Sequence, residues 1–224
     1  MEAAIRPQNK GTKQLFKSPV LEKLSRTHIS IPISIFILYS VTLFYWSFRY
    51  TSISVISSVG IFCLGFIMFT WMEYQIHRHI FHMSTLTKWR ERIQYLIHGI
   101  HHEFPKDKDR LAMPPLMSIA IVTILVLFGK WIMGDWAYSF MAGFLISYSN
   151  YLLIHYLVHA YQPPNNFFKV LWVNHSIHHY KNGEGVYGVS SPLWDYLYGT
   201  MEKKKAPIEN TSGQSKSQLT QVEF

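Results

Sequence analysis

The chain has 224 residues, a length that accommodates one domain and leaves little room for a second. Its composition is 49% hydrophobic, 16% aromatic and only 15% charged, which is too apolar for an ordinary soluble domain and is typical of a membrane protein. The formal net charge of +8 would suggest nucleic-acid binding in a soluble protein, but here long apolar runs separate the basic residues, which argues against nucleic acid as a partner. Because Cys63 is the single cysteine, the chain alone forms neither a disulfide nor a thiolate metal site.

The first 28 residues are polar and basic and contain no early apolar core, so they predict a cytosolic N-terminal segment rather than a secretory signal. Near the end of this segment, residues 18–27 predict a short amphipathic helix that lies on the membrane surface. Val20, Leu21 and Leu24 would form its apolar side.

Four uncharged runs follow, each of 19 to 21 residues, close to the roughly 20 that cross a bilayer core as a helix. They cover about residues 29–48, 52–72, 111–129 and 136–154. The short link within each successive pair predicts two helical hairpins. The predicted fold class is therefore an all-α integral membrane protein with four transmembrane helices.

The distribution of basic residues predicts the orientation of these helices. If all four runs cross the membrane, 19 of the 21 Lys and Arg residues lie on one side and two lie on the other. The positive-inside rule then places both termini and the 73–110 loop in the cytoplasm. We expect a multi-pass protein of the endoplasmic reticulum if the source is eukaryotic, or of the inner membrane if it is bacterial. Residues 201–224, rich in Lys, Ser and Gln, predict a flexible cytosolic tail.

Ten of the twelve histidines form four groups on this predicted cytoplasmic side. Imidazole is the commonest metal ligand in proteins, and ten imidazoles exceed the needs of one ion, so the sequence predicts a site for two metal ions. The predicted ligands are His77 and His82 in HRHIFH, His98, His101 and His102 in HGIHH, His155 and His159 in HYLVH, and His175, His178 and His179 in HSIHH.

The spacing within each group indicates which histidines share a helix face. His155 and His159 are four residues apart and lie on one face, as do the three histidines of each H-x-x-H-H motif. His77 and His82 are five residues apart, roughly 140° around an ideal helix, so either they serve different metals or the helix ends between them. His79, three residues before His82, is an alternative member of this group.

Imidazole ligands alone suit zinc, copper, iron or nickel. Zinc has no redox chemistry and would only hydrolyse a substrate or hold structure. Two irons beside a lipid-facing cavity would instead activate O2 and oxidise an unactivated C–H bond of an acyl chain that enters from the bilayer. We therefore expect two metal ions, iron by preference, with zinc as another possible occupant.

Five segments together resemble the fatty acid hydroxylase superfamily, most closely its sphingolipid fatty acid 2-hydroxylases: HRHIFH, HGIHHEFP, HYLVHAYQPP, HSIHHY and SSPLWDYLYGT. The resemblance runs from about Phe69 to Thr200, within a hydroxylase domain expected at residues 29–200. It implies four membrane helices under a cytosolic helical cap that holds a dinuclear histidine site, with the ten clustered histidines as ligands. It also implies hydroxylation at C2 of long acyl chains destined for ceramide.

Two departures from the family qualify this resemblance. Many members carry an N-terminal cytochrome b5 domain, whereas this chain has 28 polar residues there, so a separate electron donor such as a cytochrome b5 or a ferredoxin is expected.

Many members also carry an Asp three residues before the first histidine of the third motif, where this chain has Leu152. Ligand imidazoles usually need a hydrogen-bond partner that fixes the ring. The candidates for that role, with helix capping or surface pairing as the alternative, are Glu73, Asp109, Asn174 and Asp195.

Two other functions remain as alternatives. The same superfamily includes sterol, carotenoid and alkylglycerol oxidases, which share most of the histidine spacings. A metal transporter would be a different class, but transporters place their ligands near the bilayer midplane rather than at one end of the helices.

Overall fold

The computed structural model describes residues 6–182 and 185–202, and the regular elements in these ranges are all helical. The predicted tail therefore lies outside the described residues, apart from Met201 and Glu202. The α-helices are α1 (Pro19–Leu24), α2 (Ser30–Tyr50), α3 (Val55–Ile76), α4 (Lys88–Gln94), α5 (Ile100–Glu103), α6 (Pro115–Met133), α7 (Trp136–Ala160), α8 (Lys169–Ile177) and α9 (Leu193–Tyr198), and a short 3-10 helix covers Lys108–Arg110. Three π-helical turns, His77–Phe81, Tyr95–Gly99 and His178–Asn182, directly follow α3, α4 and α8.

Four of these helices are long and apolar enough to cross a membrane: α2, α3 with its π-helical turn, α6 and α7. The predicted all-α fold with four candidate spans is thus confirmed. Helix α6 begins at Pro115, four residues after the start of the apolar run, because the ring of a proline suits the first position of a helix. Helix α7 continues six residues beyond the apolar run to Ala160, so His155 and His159 lie on the helix itself.

Helices α3 and α7 make the closest approach in the bundle, through two glycines. A Cβ atom on Gly65 would lie 2.0 Å from the carbonyl oxygen of Phe140, and one on Gly143 would lie 1.9 Å from that of Phe62. Small residues allow such backbone contact between membrane helices, where packing rather than the hydrophobic effect drives association. This contact sets α3 and α7 side by side, and the C-terminal ends of both carry histidines.

Buried serines add hydrogen bonds between the helices of the bundle. The Ser47 and Ser139 hydroxyls are 2.7 Å apart and join α2 to α7, and the Ser58 hydroxyl on α3 lies 3.2 Å from that of Ser47. Nearer the start of α2, the Ser40 hydroxyl donates to the carbonyl oxygen of Ala142 at 2.8 Å. These contacts give each hydroxyl a hydrogen-bond partner, whereas an unpaired hydroxyl would be unfavourable in the hydrocarbon core of a membrane.

The N-terminal segment lies across the histidine end of the bundle. The backbone N–H of Gln8 donates to the carbonyl oxygen of Glu103 at 2.6 Å, directly after the HGIHH motif. The Tyr180 hydroxyl, directly after HSIHH, donates to Asn9 Oδ1 at 2.6 Å. The segment thereby ties together the two chain regions that contain the H-x-x-H-H motifs.

Helix α1 follows in the same segment and is shorter than the predicted helix. Its apolar residues Val20, Leu21 and Leu24 are all exposed.

Candidate metal centre

All ten predicted histidines converge, and they do so as two groups of five. In each group the ligand nitrogens all lie within 4.8 Å of one another. Every ring is buried except those of His82 and His159, which are partly exposed. We call the first group cluster A, which consists of His77, His82, His98, His102 and His178. The second group is cluster B, which consists of His101, His155, His159, His175 and His179.

Each H-x-x-H-H motif contributes to both clusters. In the first motif, His98 and His102 belong to cluster A and His101 to cluster B. The second motif reverses this division, since its first and last histidines belong to cluster B and His178 to cluster A. The two clusters adjoin, with the His102 and His179 rings stacked at 4.2 Å between centroids. The spacing of the histidines in the sequence places all three members of a motif on one helix face. It does not indicate that they divide between two clusters.

His77 and His82 belong to the same cluster, so the structure does not favour the alternative in which they serve different metals. The other alternative fits, because α3 ends at Ile76 and the π-helical turn that follows it ends at Phe81, before His82. After α3 the chain forms a π-helical turn, in which the N–H of His82 donates to the carbonyl oxygen of His77 at 3.2 Å. An i→i+5 hydrogen bond closes a wider turn than that of an α-helix and brings residues five apart onto one side. Among the described residues the other two π-helical turns also contain cluster histidines, His98 in one and both His178 and His179 in the other.

His79 lies in the same turn but outside both clusters, and it is exposed. His28, at the start of α2, is hydrogen-bonded through Nδ1 to the Ser30 hydroxyl at 2.7 Å.

The Nε2 atoms face one another at separations that fit ligands of a single ion. In cluster A, His98 Nε2 lies 3.1 Å from that of His77 and 2.9 Å from that of His102. In cluster B, the Nε2 atoms of His101 and His155 are 2.9 Å apart, and those of His159 and His175 are 2.7 Å apart. Nitrogens bound at about 2.1 Å and at right angles around one metal would be about 3 Å apart. The donor set of each cluster therefore fits a metal ion.

Burial keeps these imidazoles neutral, as metal ligands must be. It lowers the pKa of His82 to about 3 and that of His178 to about 4. Burial, together with the neighbouring rings, also holds the pKa values of His98, His101, His102, His175 and His179 well below the ordinary value. A neutral imidazole keeps a lone pair on one nitrogen, and that lone pair is what binds a metal.

Two rings of cluster A are oriented by backbone carbonyls of one loop. His77 Nδ1 donates to the carbonyl oxygen of Tyr187 at 2.5 Å, and His178 Nδ1 donates to that of Gly185 at 2.9 Å. A proton on Nδ1 leaves the lone pair of Nε2 directed into the cluster. In cluster B, the buried Nδ1 atoms of His101, His175 and His179 have no hydrogen-bond partner among the described residues.

The residues predicted to fix the rings do not hydrogen-bond to an imidazole in the described ranges. Glu73 accepts from the backbone N–H groups of Val189 and Ser190 at 2.7 and 2.9 Å, and from the Ser190 hydroxyl. Asp195 accepts from the N–H groups of Tyr187 and Gly188 at 2.8 and 2.7 Å. Both carboxylates thus hold the loop of residues 185–191, and the loop holds the rings.

For the other two candidates, too, the structure shows no hydrogen bond to an imidazole in the described ranges. The backbone carbonyl of Asp109 accepts from the N–H of Thr27 at 2.9 Å, and Asn174 is buried with its Nδ2 atom unpartnered in the described ranges. The sequence did not predict that the backbone carbonyls of Gly185 and Tyr187 accept hydrogen bonds from the rings. Every residue has a backbone carbonyl, so the residue type does not indicate which ones take this role.

Comparison with known proteins agrees with this geometry. Residues 62–200 match the model of the fatty acid hydroxylase family. The chain belongs to the fatty acid hydroxylase family. The family resemblance read from the motifs is thereby confirmed.

Curated relatives of this hydroxylase-family chain include sphingolipid enzymes. It is 35% identical over 152 residues to the dihydroceramide fatty acyl 2-hydroxylase FAH2 of Arabidopsis thaliana, covering 67% of this chain and 64% of the relative. It is 32% identical to the ceramide very long chain fatty acid hydroxylase scs7 of Schizosaccharomyces pombe, covering 75% of this chain and 49% of the relative. The chain thus spans about half to two thirds of the length of these relatives.

A solved structure of full-length scs7p, in which only the hydroxylase domain is visible, has the same fold. It superposes with a TM-score of 0.79 at 30% identity, covering 88% of this chain and 75% of the other.

Proposed function

We propose that this protein is a membrane-bound di-metal monooxygenase that hydroxylates C2 of long-chain fatty acyl groups in sphingolipids or ceramides. The observation that carries the proposal is the pair of five-histidine clusters at one end of four apolar helices. The names of the relatives support the substrate class, because they act on ceramide or dihydroceramide acyl chains.

The ten clustered histidines would hold two metal ions, for which we propose iron, with zinc as another occupant of the same donors. With iron bound, the site would supply the chemistry that converts one C–H group, O2, two electrons and two protons into one C–OH group and one water. The electrons would come from a separate donor such as a cytochrome b5 or a ferredoxin. The imidazoles of the chain bind the ions and stay neutral, and their burial limits the access of bulk water.

The surroundings of cluster B support an acyl chain as the substrate. Tyr151 stacks on the His155 ring at 5.5 Å between centroids, and Tyr148 stacks on Tyr151 at 6.0 Å. Phe69 on α3 continues this aromatic column at 5.2 Å from Tyr148. The side of the cluster that faces the bundle is therefore apolar, as contact with a lipid tail requires.

For the orientation, we propose that both termini and the histidine end face the cytoplasm. The excess of Lys and Arg on the histidine side of the four helices supports this arrangement. The membrane would be the endoplasmic reticulum in a eukaryote or the inner membrane in a bacterium.

Lipid mass spectrometry of cells that express the protein tests the proposal. We expect 2-hydroxy acyl ceramides to accumulate with the unaltered chain and to fall at least about 100-fold with His175→Ala, which removes a buried ligand of cluster B. His79→Ala is the matched control, because this exposed histidine lies outside both clusters.

Equal hydroxylated ceramide with and without His175 would refute the proposed activity. Oxidised sterol, carotenoid or alkylglycerol in place of 2-hydroxy ceramide would assign the chain to another branch of the superfamily.

A further inference from the structure

The loop of residues 185–191 contacts cluster A, and the way it is held suggests a role for two buried carboxylates. As described above, its carbonyl oxygens at Gly185 and Tyr187 accept from the outer nitrogens of His178 and His77. Both of these rings belong to cluster A. The position of the loop therefore determines the orientation of two of the five ligands in that cluster.

The backbone of this loop has a conformation that the local sequence does not favour. Val186 has a φ of 52°, a left-handed conformation that is rare for a β-branched residue, and its side chain is buried. Its N–H donates to the carbonyl oxygen of Thr200 at 2.9 Å, so a contact with the far end of α9 holds this turn. Such a conformation persists only where the surroundings impose it.

Asp195 holds the first half of the loop from α9. It is fully buried, and its two oxygens accept from the N–H groups of Tyr187 and Gly188 and from the Thr200 hydroxyl, the last at 2.7 Å. The approach is so close that a Cβ atom on Gly188 would lie 2.8 Å from Asp195 Oδ2 and 2.2 Å from the carbonyl oxygen of Ser191. The peptide unit between Tyr187 and Gly188 therefore joins the two side chains, since its N–H donates to Asp195 and its carbonyl oxygen accepts from His77 Nδ1.

Glu73 holds the second half of the loop from α3. It accepts from the N–H groups of Val189 and Ser190, and it lies one helical turn before His77 on the same helix. The loop is thus fixed relative to the helix that carries His77. In cluster B, the Nδ1 atoms of His101, His175 and His179 have no partner within the described residues, and His155 lies beside the backbone of Leu111 rather than the loop.

We propose that Asp195 and Glu73 are positioning residues for the metal ion of cluster A alone, acting through the carbonyl groups of the 185–191 loop. Cluster B binds its ion independently of this loop. The inference rests on the proposed function in one respect, namely that both clusters bind metal. It adds that the two sites respond differently to loss of these carboxylates.

Metal stoichiometry measures this difference without reference to hydroxylase activity. The full chain, purified in detergent and loaded with zinc, which has no redox chemistry, is expected to retain about two ions, one per cluster. Asp195→Asn replaces one of the two carboxylate oxygens by an NH2 donor, which leaves one of the two loop N–H groups without its acceptor. We expect this variant to release one ion to a chelator about 10–100-fold faster than the parent and to keep the other.

Combined variants identify which ion is lost. His82 and His159 are the partly exposed members of clusters A and B, so His82→Ala and His159→Ala form a matched pair, each expected to lose one ion. Asp195→Asn with His82→Ala should lose no more than either change alone, whereas Asp195→Asn with His159→Ala should lose both ions. General unfolding would not produce this pattern.

Two further variants complete the design. Glu73→Gln is expected to repeat the one-site loss, and it keeps the test decisive if Asp195→Asn aggregates. Glu22→Gln is the control, because Glu22 also accepts from two backbone N–H groups, those of Leu15 and Phe16 at 2.9 and 3.1 Å, but holds the N-terminal segment. It should keep both ions.

The outcomes separate this inference from the proposed function. If His82→Ala and His159→Ala each lose one ion while Asp195→Asn and Glu73→Gln keep both, the positioning role is refuted and the metal sites stand. Loss of both ions from Asp195→Asn and from Glu73→Gln would likewise refute a role confined to cluster A. If the histidine variants keep as much zinc as the parent, the metal sites of the proposed function are refuted instead.

Discussion

The apolar bundle and the histidine end of this protein bury polar groups in different ways. In the bundle, buried hydroxyls pair with one another or with a carbonyl oxygen, as Ser47 does with Ser139 and Ser40 does with Ala142. At the histidine end, ten imidazoles form two groups in which the ligand nitrogens all lie within 4.8 Å of one another, and a cation is the group that such a set of lone pairs binds best. Apart from the Ser147 hydroxyl, which is unpartnered within the described residues, these bundle hydroxyls are satisfied by contacts within the bundle, whereas the arrangement of the imidazoles suits a bound cation.

The glycine contact between α3 and α7 is the link between the two regions, and breaking it should have the largest effect. Gly143→Ala would place a methyl group 1.9 Å from the carbonyl oxygen of Phe62 and force the helices apart. We expect a destabilisation of about 3 kcal/mol and, because the ends of both helices carry ligands, loss of metal from both clusters. Denaturation in detergent and metal analysis would measure these effects.

Gly60→Ala is the matched control for this prediction. Gly60 also lies in α3, but a Cβ atom there would meet nothing within 4 Å. Equal stability and equal metal content for the two alanine variants would show that the close contact does not position the histidines.

Acid should weaken the histidine end before it affects the bundle. Burial lowers the pKa of His82 to about 3 and of His178 to about 4, whereas an unfolded histidine titrates near 6.5. Between these values the unfolded chain binds protons that the folded chain does not, so the free energy of unfolding of the metal-free protein falls as the pH decreases from about 6.5 towards 4. Above that window the effect is absent.

Thermal unfolding of chelator-treated protein at several pH values checks this dependence. The midpoint should drop steadily below about pH 6.5, and bound metal should oppose the drop because protons and metal compete for the same nitrogens. A midpoint that stays constant down to about pH 4.5 would contradict the assigned burial of neutral rings.

The smallest effect is expected from the serine contacts of the bundle. Ser139→Ala removes one partner of Ser47, but the Ser58 hydroxyl remains 3.2 Å from Ser47. Hydrogen bonds between membrane helices contribute about 0.6 kcal/mol on average, and we expect a loss of that order with both metal ions retained. Ser52→Ala, in the exposed turn after α2, serves as the control, and a loss much above about 2 kcal/mol would show that the bundle depends on this contact more than its geometry suggests.

The sequence was sufficient for features that depend on local composition. The four apolar runs predicted the four long helices, because hydrophobicity over about 20 residues is a property of each segment alone. The clustering of histidines predicted the candidate ligands, and the motifs around them predicted the family. The predicted helix ends differed where a proline delayed α6 and where α7 continued through His155 and His159, whose rings contact histidines of other segments.

Tertiary structure decided how the ligands are shared and what orients them. The division of each H-x-x-H-H motif between two clusters depends on where four separate segments meet, and His82 joins His77 only because the chain forms a π-helical turn there. Glu73 and Asp195 are candidates from the sequence for hydrogen bonds to the rings, yet in the structure they accept from N–H groups of a loop whose backbone carbonyls make those contacts. A pattern of residue types identifies side chains capable of binding metal, but backbone acceptors and long-range neighbours exist only once the chain has folded.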